Sequence, residues 1–342
     1  MKKKVIVAMS GGVDSSVVAF LFKKRGYEVE GMFMDFGLND GGEEKVKEVA
    51  KQLDIKVHII DLKDKFEQEV IKYFINSYEK GLTPNPCVMC NREIKFGELF
   101  KLFLKFGGDY LATGHYVRLR KNILTGKIYV YRGNDRLKDQ TYFLYNLNQE
   151  ILSKVRFPLG GFKKDRTRKI SKKNHLLNFT SESQDICFLK GDHNIFLKKH
   201  LKLILGPIKT IEGEVIGEHQ GLPLYTIGQR RGIDIGGSGP YYVVKFDFKE
   251  NILYVSRQWN DNILYKDNLI ASEVNWISGK AKSSFKCRAV IRYGHQAVSC
   301  KVKQLEVNKY SVIFKVKQRA VTPGQSIVFY QGRKLLGGGV IS

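Results

Sequence analysis

Residues 5–26 constrain the fold more than any other stretch, because a buried strand, a glycine turn and a helix follow one another there. Residues 5–9 are all apolar, which is typical of a strand covered on both faces of a parallel sheet. The turn at residues 10–16 reads SGGVDSS, and its two glycines allow the backbone to turn sharply. An apolar helix follows and is predicted to end near Gly26. Free N–H groups at the start of this helix, with the positive end of its dipole, predict a phosphate-binding site.

The order of residues within the turn narrows the class of nucleotide site. Neither the Gly-Lys-Ser/Thr of a Walker loop nor a G-x-G-x-x-G dinucleotide fingerprint is present. The S-G-G-x-D-S order after a strand resembles the pyrophosphatase loop (PP-loop) of enzymes that split ATP between its α- and β-phosphates and adenylate a substrate. Ser10, Ser15 and Ser16 add hydroxyl donors, and Asp14 is predicted to hold Mg²⁺ or a ribose hydroxyl. The alternative is an ordinary serine-capped glycine turn, against which the strand–turn–helix context argues.

Alternating strand and helix patterns over residues 1–116 predict an α/β fold with a parallel sheet. Strands are predicted at residues 28–36, 56–62 and 110–116, and helices at residues 43–53, 65–80 and 91–106. Ligands of such sheets bind at the carboxyl ends of the strands, which is where Ser10, Met34 and Gly114 fall.

The sequence pattern changes from about residue 206, where short segments of alternating apolar and polar residues are separated by glycines. A hairpin is predicted at residues 241–255, and at least five strand-like runs in the last 75 residues predict a small β-barrel. We therefore divide the chain into an N-terminal domain (1–205), a small β-rich central domain (206–267) and a C-terminal β-barrel (268–342).

The charge of the chain favours a polyanionic partner. The formal net charge is +24 and the isoelectric point is near 9.7, and a dense basic run lies at residues 163–173. Nucleic acid is the first candidate, although a lysine-rich composition and a solvated helix face are the alternatives. The apolar run after Met-Lys-Lys-Lys is too short for a signal peptide, and no stretch is long enough to span a membrane. We therefore expect a cytoplasmic location and no membrane partner.

Three of the five cysteines stand in polar, chemically suggestive surroundings. The odd number argues against a disulfide framework. Cys87 and Cys90 form a C-x-x-C, and Cys90 is predicted to lie near the N-terminus of the 91–106 helix, where the dipole and nearby cations lower a thiol pKa. Cys187 has polar flanks far along the chain. A structural zinc site and an inert thiol pair are the alternatives.

The remaining cysteines, Cys287 and Cys300, lie in predicted barrel strands and are expected to pack in a core. ATP cleavage combined with reactive thiols suggests one reaction type. The enzyme adenylates a carbonyl oxygen, a persulfide attacks the same carbon, and a second cysteine breaks the S–S bond by thiol exchange.

Several stretches together resemble one family, the bacterial tRNA-specific 2-thiouridylases (MnmA type). The matching stretches are residues 8–15, 31–35, 83–86, 90–96, 112–116, 138–144, 181–187, 225–232, 292–293 and 322–325. They occur in order and cover nearly the full length. The resemblance implies that residues 1–205 form a PP-loop catalytic domain of the HUP (adenine nucleotide α hydrolase-like) type, with a five-stranded parallel sheet and a tRNA-binding insertion. It also implies 2-thiolation of the wobble uridine (position 34) of tRNA, using ATP and Mg²⁺ and releasing AMP and pyrophosphate.

The resemblance also implies residue roles. The ATP-binding residues would be Ala8, Met9, Ser10, Gly11, Gly12, Val13, Asp14, Ser15, Met34 and Gly114. The tRNA and its flipped target base would be contacted by Asn85, Pro86, Cys87, His115, Lys138, Asp139, Gln140, Arg292, Tyr293 and Gln325. Cys187 would carry the persulfide, Cys90 would act on it, and the two could be trapped as a disulfide. Base flipping is expected because O2 and C2 of a stacked base are out of reach.

Cys87 departs from the family pattern, because many relatives carry aspartate there. A general acid/base role for that aspartate does not transfer, since a thiol has a higher pKa. Cys87, Cys90 and Cys187 together would also suffice for a 4Fe–4S cluster with one open iron. Both mechanisms stay open from the sequence, and the persulfide is favoured because it needs only two of the three thiols.

The sequence leaves two rival functions open and predicts the class of the sulfur donor. A PP-loop enzyme acting on a small molecule would explain residues 1–116 but neither the thiols nor the basic barrel. An RNA-binding protein with an inactive nucleotide site would conflict with the intact turn at residues 10–16. The persulfide donor is predicted to be a sulfur-relay protein or a cysteine desulfurase.

Overall fold

Strands make up most of the regular structure, and helices are concentrated in the first 200 residues. A computed structural model describes residues 2–38, 40–176, 186–189, 191–233, 235–236, 239–279 and 283–342. The strands are β1 (Lys4–Met9), β2 (Glu28–Asp35), β3 (Lys56–Asp61), β4 (Tyr110–Ala112), β5 (Val117–Lys121), β6 (Ile128–Arg132), β7 (Val155–Arg156), β8 (Gly206–Thr210), β9 (Val215–His219), β10 (Tyr242–Asp247), β11 (Ile252–Ser256), β12 (Tyr265–Trp276), β13 (Ser284–Val290), β14 (Val298–Glu306), β15 (Lys309–Arg319), β16 (Ser326–Gln331) and β17 (Lys334–Ile341).

The helical segments connect the strands, and most of them lie in the first 200 residues. They are Val13–Lys24, Gly42–Gln52, Lys63–Phe66, Glu67–Ile71, Lys72–Glu79, Pro86–Met89, Cys90–Glu98, Leu99–Lys105, Gln149–Lys154, Lys164–Lys173 and His193–His200, with short 3₁₀ turns at Thr141–Phe143, Pro158–Gly161, Leu222–Leu224 and Asn262–Leu264. The stretches Glu67–Ile71 and Cys90–Glu98 are π-helical and continue the α-helical segments on either side.

The N-terminal sheet has five parallel strands in the order β3-β2-β1-β4-β7. Its central strand β1 is buried on both faces, as the apolar run predicts. Ile6 and Ala8 pack into the core on one face, whereas Val5, Val7 and Met9 pack into the core on the other. The predicted α/β fold with a parallel sheet is confirmed.

Two boundaries differ from the sequence-based prediction by more than two residues. Strand β4 ends at Ala112 rather than at residue 116, because the chain leaves the sheet to approach the PP-loop. The helix predicted to start at residue 91 starts at Pro86, where Asn85 caps it by accepting a hydrogen bond from Val88 N at 3.3 Å. Proline at the first helical position loses no hydrogen bond, so it opens this helix rather than only preceding it.

The central part of the chain is a four-stranded sheet in the order β10-β11-β8-β9. Strands β10 and β11 pair antiparallel, which confirms the predicted hairpin. Strand β8 joins β11 in parallel and turns back into β9.

The C-terminal part closes into a barrel, as predicted. Strands β12-β15-β14-β13-β16-β17 are hydrogen-bonded in that order, and β12 also pairs with β17. The β5–β6 hairpin extends this sheet, because Tyr131 pairs with Lys334 of β17. Two strands of the predicted first domain therefore belong to the same sheet as the predicted third domain. The exact domain boundaries stay a prediction.

Cys287 and Cys300 lie directly opposite each other on β13 and β14, with their Sγ atoms 3.6 Å apart. Cys300 is buried in the barrel core and Cys287 is half-buried against it, so the expected core role is confirmed. Within the described ranges, no helix combines the length and the apolar character needed to cross a bilayer.

Candidate functional site

The PP-loop is tied together by its own serine hydroxyls. Ser15 Oγ accepts a hydrogen bond from Ser10 N at 3.2 Å and donates to Gly12 O at 3.1 Å. Ser16 Oγ also donates to Gly12 O, at 3.0 Å. Two of the three hydroxyls predicted to bind phosphate therefore shape the loop, while Ser10 lines the cavity in front of it.

Asp14 at the start of the first helix is held by a cation from a distant part of the chain. Lys164 Nζ lies 2.7 and 2.6 Å from its two carboxylate oxygens. Tyr116 donates its hydroxyl to Asp14 Oδ1 at 2.8 Å and lies 2.9 Å from Thr167 Oγ1. Lys164 N in turn donates to Asp135 Oδ2 at 2.9 Å, which fixes the start of the helix that presents this lysine. Burial, together with the carboxylate of Asp14, raises the pKa of Tyr116.

Gly114 comes close to the PP-loop, where the chain has left the sheet. A Cβ atom at this position would lie 3.0 Å from Asp14 Cβ and 3.4 Å from Ser15 N. The contact with Asp14 Cβ is tighter than side chains usually make, so glycine at this position lets the chain pass close to residues 14 and 15 without displacing them.

A cavity of about 740 Å³ opens in front of the loop. It collects residues that the sequence analysis assigned to three different roles. Its lining includes Met9, Ser10, Asp14, Met34, Pro86, Cys87, Cys90, Asn91, Lys95, His115, Lys138, Gln140, Lys164, Cys187 and Tyr293. Nucleotide-loop residues, two candidate reactive thiols and candidate tRNA contacts therefore share one chamber.

Cys90 is buried in this chamber, and the prediction of a lowered pKa for its thiol is wrong. Burial raises the pKa of Cys90 to about 12, and the nearby positive charge of Lys95 offsets only part of that effect. The predicted dipole effect is missing because the helix starts at Pro86, which leaves Cys90 beyond its first turn. Cys90 instead begins the π-helical stretch, a type of distortion that is frequent at functional sites.

Cys187 is presented to the same chamber by an aromatic anchor. The ring of Phe188 packs against Phe66, Phe74 and Phe196, with centroid distances of 5.9, 5.4 and 5.6 Å. Cys187 next to it remains exposed. Residues 181–185 of the same predicted motif lie outside the described residues.

Lys95 acts on both candidate thiols. Surrounding protein atoms raise the pKa of Cys187, and the charge of Lys95 opposes that shift, as it does at Cys90. A thiolate formed at either position would raise the pKa of the other, since the charge of Cys187 contributes to the shift at Cys90. The two thiols are therefore electrostatic neighbours.

The cysteines of the chamber bear directly on the alternative of a 4Fe–4S cluster. In the part of the chain that is described, no set of three or more histidine, cysteine, aspartate or glutamate side chains is placed to hold a metal ion. Cys87, Cys90 and Cys187 thus do not fit a 4Fe–4S cluster as they stand, although Cys87 and Cys187 both act on the pKa of Cys90.

Some of the predicted tRNA-binding residues line the chamber, whereas others are held inside the protein. His115 is buried, its Nδ1 lies 2.7 Å from Thr113 Oγ1, and burial lowers its pKa to about 3, so its ring is neutral at physiological pH. Lys138 and Gln140 line the chamber. Asp139 between them does not line it, because its buried carboxylate accepts hydrogen bonds from the Gly133 and Thr141 backbone.

A second cavity of about 480 Å³ lies close to the first, because Arg292 lines it while the next residue, Tyr293, lines the first. Arg292 and Gln325 line it, whereas Tyr293 faces the first chamber. Gln325 Nε2 donates to Thr83 O at 3.1 Å, which ties the barrel to the segment that carries Asn85. Most of the predicted tRNA contacts are therefore divided between two neighbouring cavities, whereas Asn85 and Asp139 line neither of them.

Sequence reasoning missed two contributors to the chamber. Lys164 was only one of many lysines in a basic run, and Asn91 was only a residue next to a cysteine. The signal for Lys164 would have been its place at the start of a helix, but its partner Asp14 is 150 positions away. Asn91 shares one helix face with Cys87 and Lys95, which a helical periodicity argument starting at residue 86 would have found.

Comparisons with known proteins agree with one another along the chain. Three family models match: "tRNA methyl transferase HUP domain" over residues 3–191, "tRNA methyl transferase PRC-barrel domain" over residues 194–257 and "Aminomethyltransferase beta-barrel domain" over residues 266–341. The tRNA-specific 2-thiouridylase MnmA of Oceanobacillus iheyensis is 44% identical over 99% of this chain and 94% of its own length. The enzymes of the same name from Geobacillus thermodenitrificans and Bacillus subtilis are 43% and 42% identical over the same shares. At this identity and coverage, the chain belongs to the tRNA-specific 2-thiouridylase (MnmA) family of PP-loop proteins.

Proposed function

We propose that this protein thiolates C2 of the wobble uridine of tRNA in an ATP-dependent reaction. The observation that carries the proposal is a single chamber in which the nucleotide loop, through Ser10 and Asp14, faces both Cys90 and Cys187. A PP-loop enzyme acting on a small molecule would not need two distant thiols beside its nucleotide. Family membership supports the same reaction, since the relatives are named tRNA-specific 2-thiouridylases.

The first half-reaction activates the base. Uridine O2 attacks the α-phosphorus of ATP, the bond from phosphorus to the bridging oxygen breaks, pyrophosphate leaves with the electron pair, and the N3 proton is released. Asp14 is the carboxylate suited to hold Mg²⁺, because this ion takes one or two protein carboxylates and completes its shell with phosphates and water. When bound, the metal would neutralise charge on the phosphates. Lys164, now paired with Asp14, is within the same chamber to meet the phosphates.

The second half-reaction transfers sulfur. The terminal sulfur of a persulfide on Cys187 attacks C2, and AMP leaves with the C2–O bonding pair. Cys90 then attacks Cys187 Sγ, the bond between this sulfur and the transferred sulfur breaks, and a Cys90–Cys187 disulfide remains. A dithiol reductant restores both thiols before the next turnover. The exposure of Cys187 supports its loading by an external donor, for which a sulfur-relay protein or a cysteine desulfurase is the expected class.

Recognition of tRNA is supported by charge and by the position of the candidate contacts. The net charge of +24 favours a polyanion. Lys138, Gln140 and His115 line the chamber, and Arg292 and Gln325 line the neighbouring cavity, so that one anticodon loop would occupy both. Phosphate contacts release counterions, so tRNA affinity should fall steeply with salt.

The deciding experiment is mass analysis of the wobble nucleoside after incubation of tRNA with ATP and a persulfide donor. Replacement of one oxygen by sulfur supports the proposal, whereas addition of a methyl group when S-adenosylmethionine is supplied would refute it in favour of methyl transfer. Cys187→Ser should abolish thiolation and leave tRNA binding intact. Cys287→Ser, which changes a thiol of the barrel, is the matched control and should keep activity. ATP turnover to AMP that does not need tRNA would favour a small-molecule substrate.

The same preparation tests the cluster variant of the mechanism. The enzyme is purified anaerobically, and iron and sulfide are measured. Thiolation by iron-free enzyme supports the persulfide route. Activity that appears only after iron and sulfide are bound would refute it.

A further inference from the structure

Asn91 is a buried side chain with one unused hydrogen-bonding group in the catalytic chamber. It is 5% exposed and lines the chamber beside Cys90. Its Nδ2 donates to Cys87 O at 2.9 Å. Its Oδ1 is buried and has no hydrogen-bond partner among the described residues. Buried polar atoms are nearly always paired, so this oxygen is suited to accept from a ligand.

The orientation of the carboxamide is fixed by its partner. A carbonyl oxygen such as Cys87 O accepts hydrogen bonds only, so the amide nitrogen of Asn91 must face it. The acceptor Oδ1 is then the atom of this side chain that lacks a partner among the described residues. Its ligand must therefore offer a donor, such as an N–H group.

Uracil offers one such donor on its Watson–Crick edge, the N3–H between two carbonyl groups. We propose that Asn91 Oδ1 accepts a hydrogen bond from N3–H of the target uridine and thereby selects uracil. The proposal rests on the proposed function, because it assigns a base-reading role within the same chamber. Cytosine has an unprotonated N3 at this position, which would face Oδ1 with a lone pair instead of a proton.

The same contact would also position the reacting atom. N3 is covalently bonded to C2, and Cys90 precedes Asn91 on the same helix and lines the same chamber. A uridine held through N3–H on Asn91 as it enters the chamber, before adenylation releases the N3 proton, therefore has C2 placed near the thiol that later completes sulfur transfer. A site built to hydrogen-bond a substrate group rejects analogues that lack it, because its own polar atom is then left unpaired.

The test uses three tRNAs that differ only at the wobble base, which is uridine, cytidine or N3-methyluridine. The last keeps both carbonyls and lacks the N3–H donor. Equilibrium binding of each is measured with the wild type, Asn91→Leu and Asn91→Ala. We expect the wild type to prefer uridine over both analogues by about tenfold or more. Both variants should lose most of that preference, the smaller alanine serving if leucine perturbs folding.

Asn194→Leu is the matched control, because Asn194 also has a buried Oδ1 without a partner among the described residues and lines the second cavity. It should leave the ratio between uridine and N3-methyluridine unchanged. An unchanged ratio in folded Asn91 variants would overturn the proposal and assign Oδ1 to a bound water. If the wild type neither binds nor thiolates the uridine tRNA, it is the proposed function that fails.

Discussion

The protonation state of Cys90 can be tested directly, and the structure sets the size of the effect. Burial raises the pKa of this thiol from 9.0 to about 12. At pH 8 an ordinary thiol is about one-tenth thiolate, whereas this one is about one ten-thousandth thiolate. Because the thiolate is the nucleophile, alkylation of folded Cys90 should be about a thousandfold slower than in the unfolded chain on this account alone.

The assay is iodoacetamide labelling followed by peptide mass analysis, repeated between pH 7 and pH 10. The alkylation rate of Cys90 should rise about tenfold per pH unit without levelling off, while the same peptide in urea should level off near pH 9. Restricted access to the buried sulfur slows the rate equally at every pH, so the slope is the quantity to read. Lys95→Met should slow labelling further, because Lys95 is the main group that lowers this pKa.

A plateau below pH 10 in the folded protein would refute the argument from burial. The shift also has a consequence for stability. The folded state keeps the proton up to about pH 12, whereas the unfolded chain loses it near pH 9.0. The contribution of Cys90 to the free energy of unfolding is therefore complete below pH 9 and is lost as the pH rises through that window.

Three further perturbations address the rest of the chamber. Lys164→Met should weaken ATP binding about ten- to a hundredfold, because it removes one charge-assisted hydrogen bond. Lys169→Met on the same helix is the control and should leave ATP affinity unchanged, as measured by isothermal titration calorimetry. Gly114→Ala should also lower ATP affinity, by overpacking worth about 1–3 kcal/mol, while Gly161→Ala, which meets nothing within 4 Å, should be neutral in the same titration. The pKa of His115 is about 3 in the folded state, so below pH 6.5 the unfolded chain binds a proton that the folded protein does not. Lowering the pH from 7 to 5 should therefore reduce the free energy of unfolding by about 2 kcal/mol. Urea unfolding should show that His115→Gln lacks this part of the loss.

Features that depend on neighbouring residues could be predicted from the sequence. The strand, turn and helix at residues 5–26 follow from local apolar pattern and glycine placement, and the barrel follows from alternation in short strands. The helix over Cys90 was predicted with a late start, because the prolines before it were interpreted as extended chain. Proline at a first helical position has the same local signature, so tertiary packing decided the boundary.

Features that depend on contacts between distant residues could not be predicted from the sequence. The pairing of Asp14 with Lys164 joins positions 150 residues apart, and no local pattern separates that lysine from its neighbours. The pKa of Cys90 was predicted in the wrong direction for a similar reason. The sequence shows which charges lie near Cys90 along the chain, whereas the burial that outweighs them arises only from tertiary packing.

A raised pKa at Cys90 fits the proposed chemistry once its proton is followed. Before the last step, C2 is double-bonded to an unprotonated N3, and afterwards C2 carries the sulfur and N3 carries a proton. Cys90 loses a proton as its sulfur joins Cys187, so a thiol that stays protonated at rest brings the proton that the product needs. If that proton passes within the complex, the single-turnover rate of thiouridine formation from persulfide-loaded enzyme should change less than about twofold between pH 7 and pH 9, while alkylation of Cys90 rises about a hundredfold. A thiolation rate that also rises tenfold per pH unit would instead show that Cys90 first loses its proton to water, and burial would then slow catalysis rather than serve it.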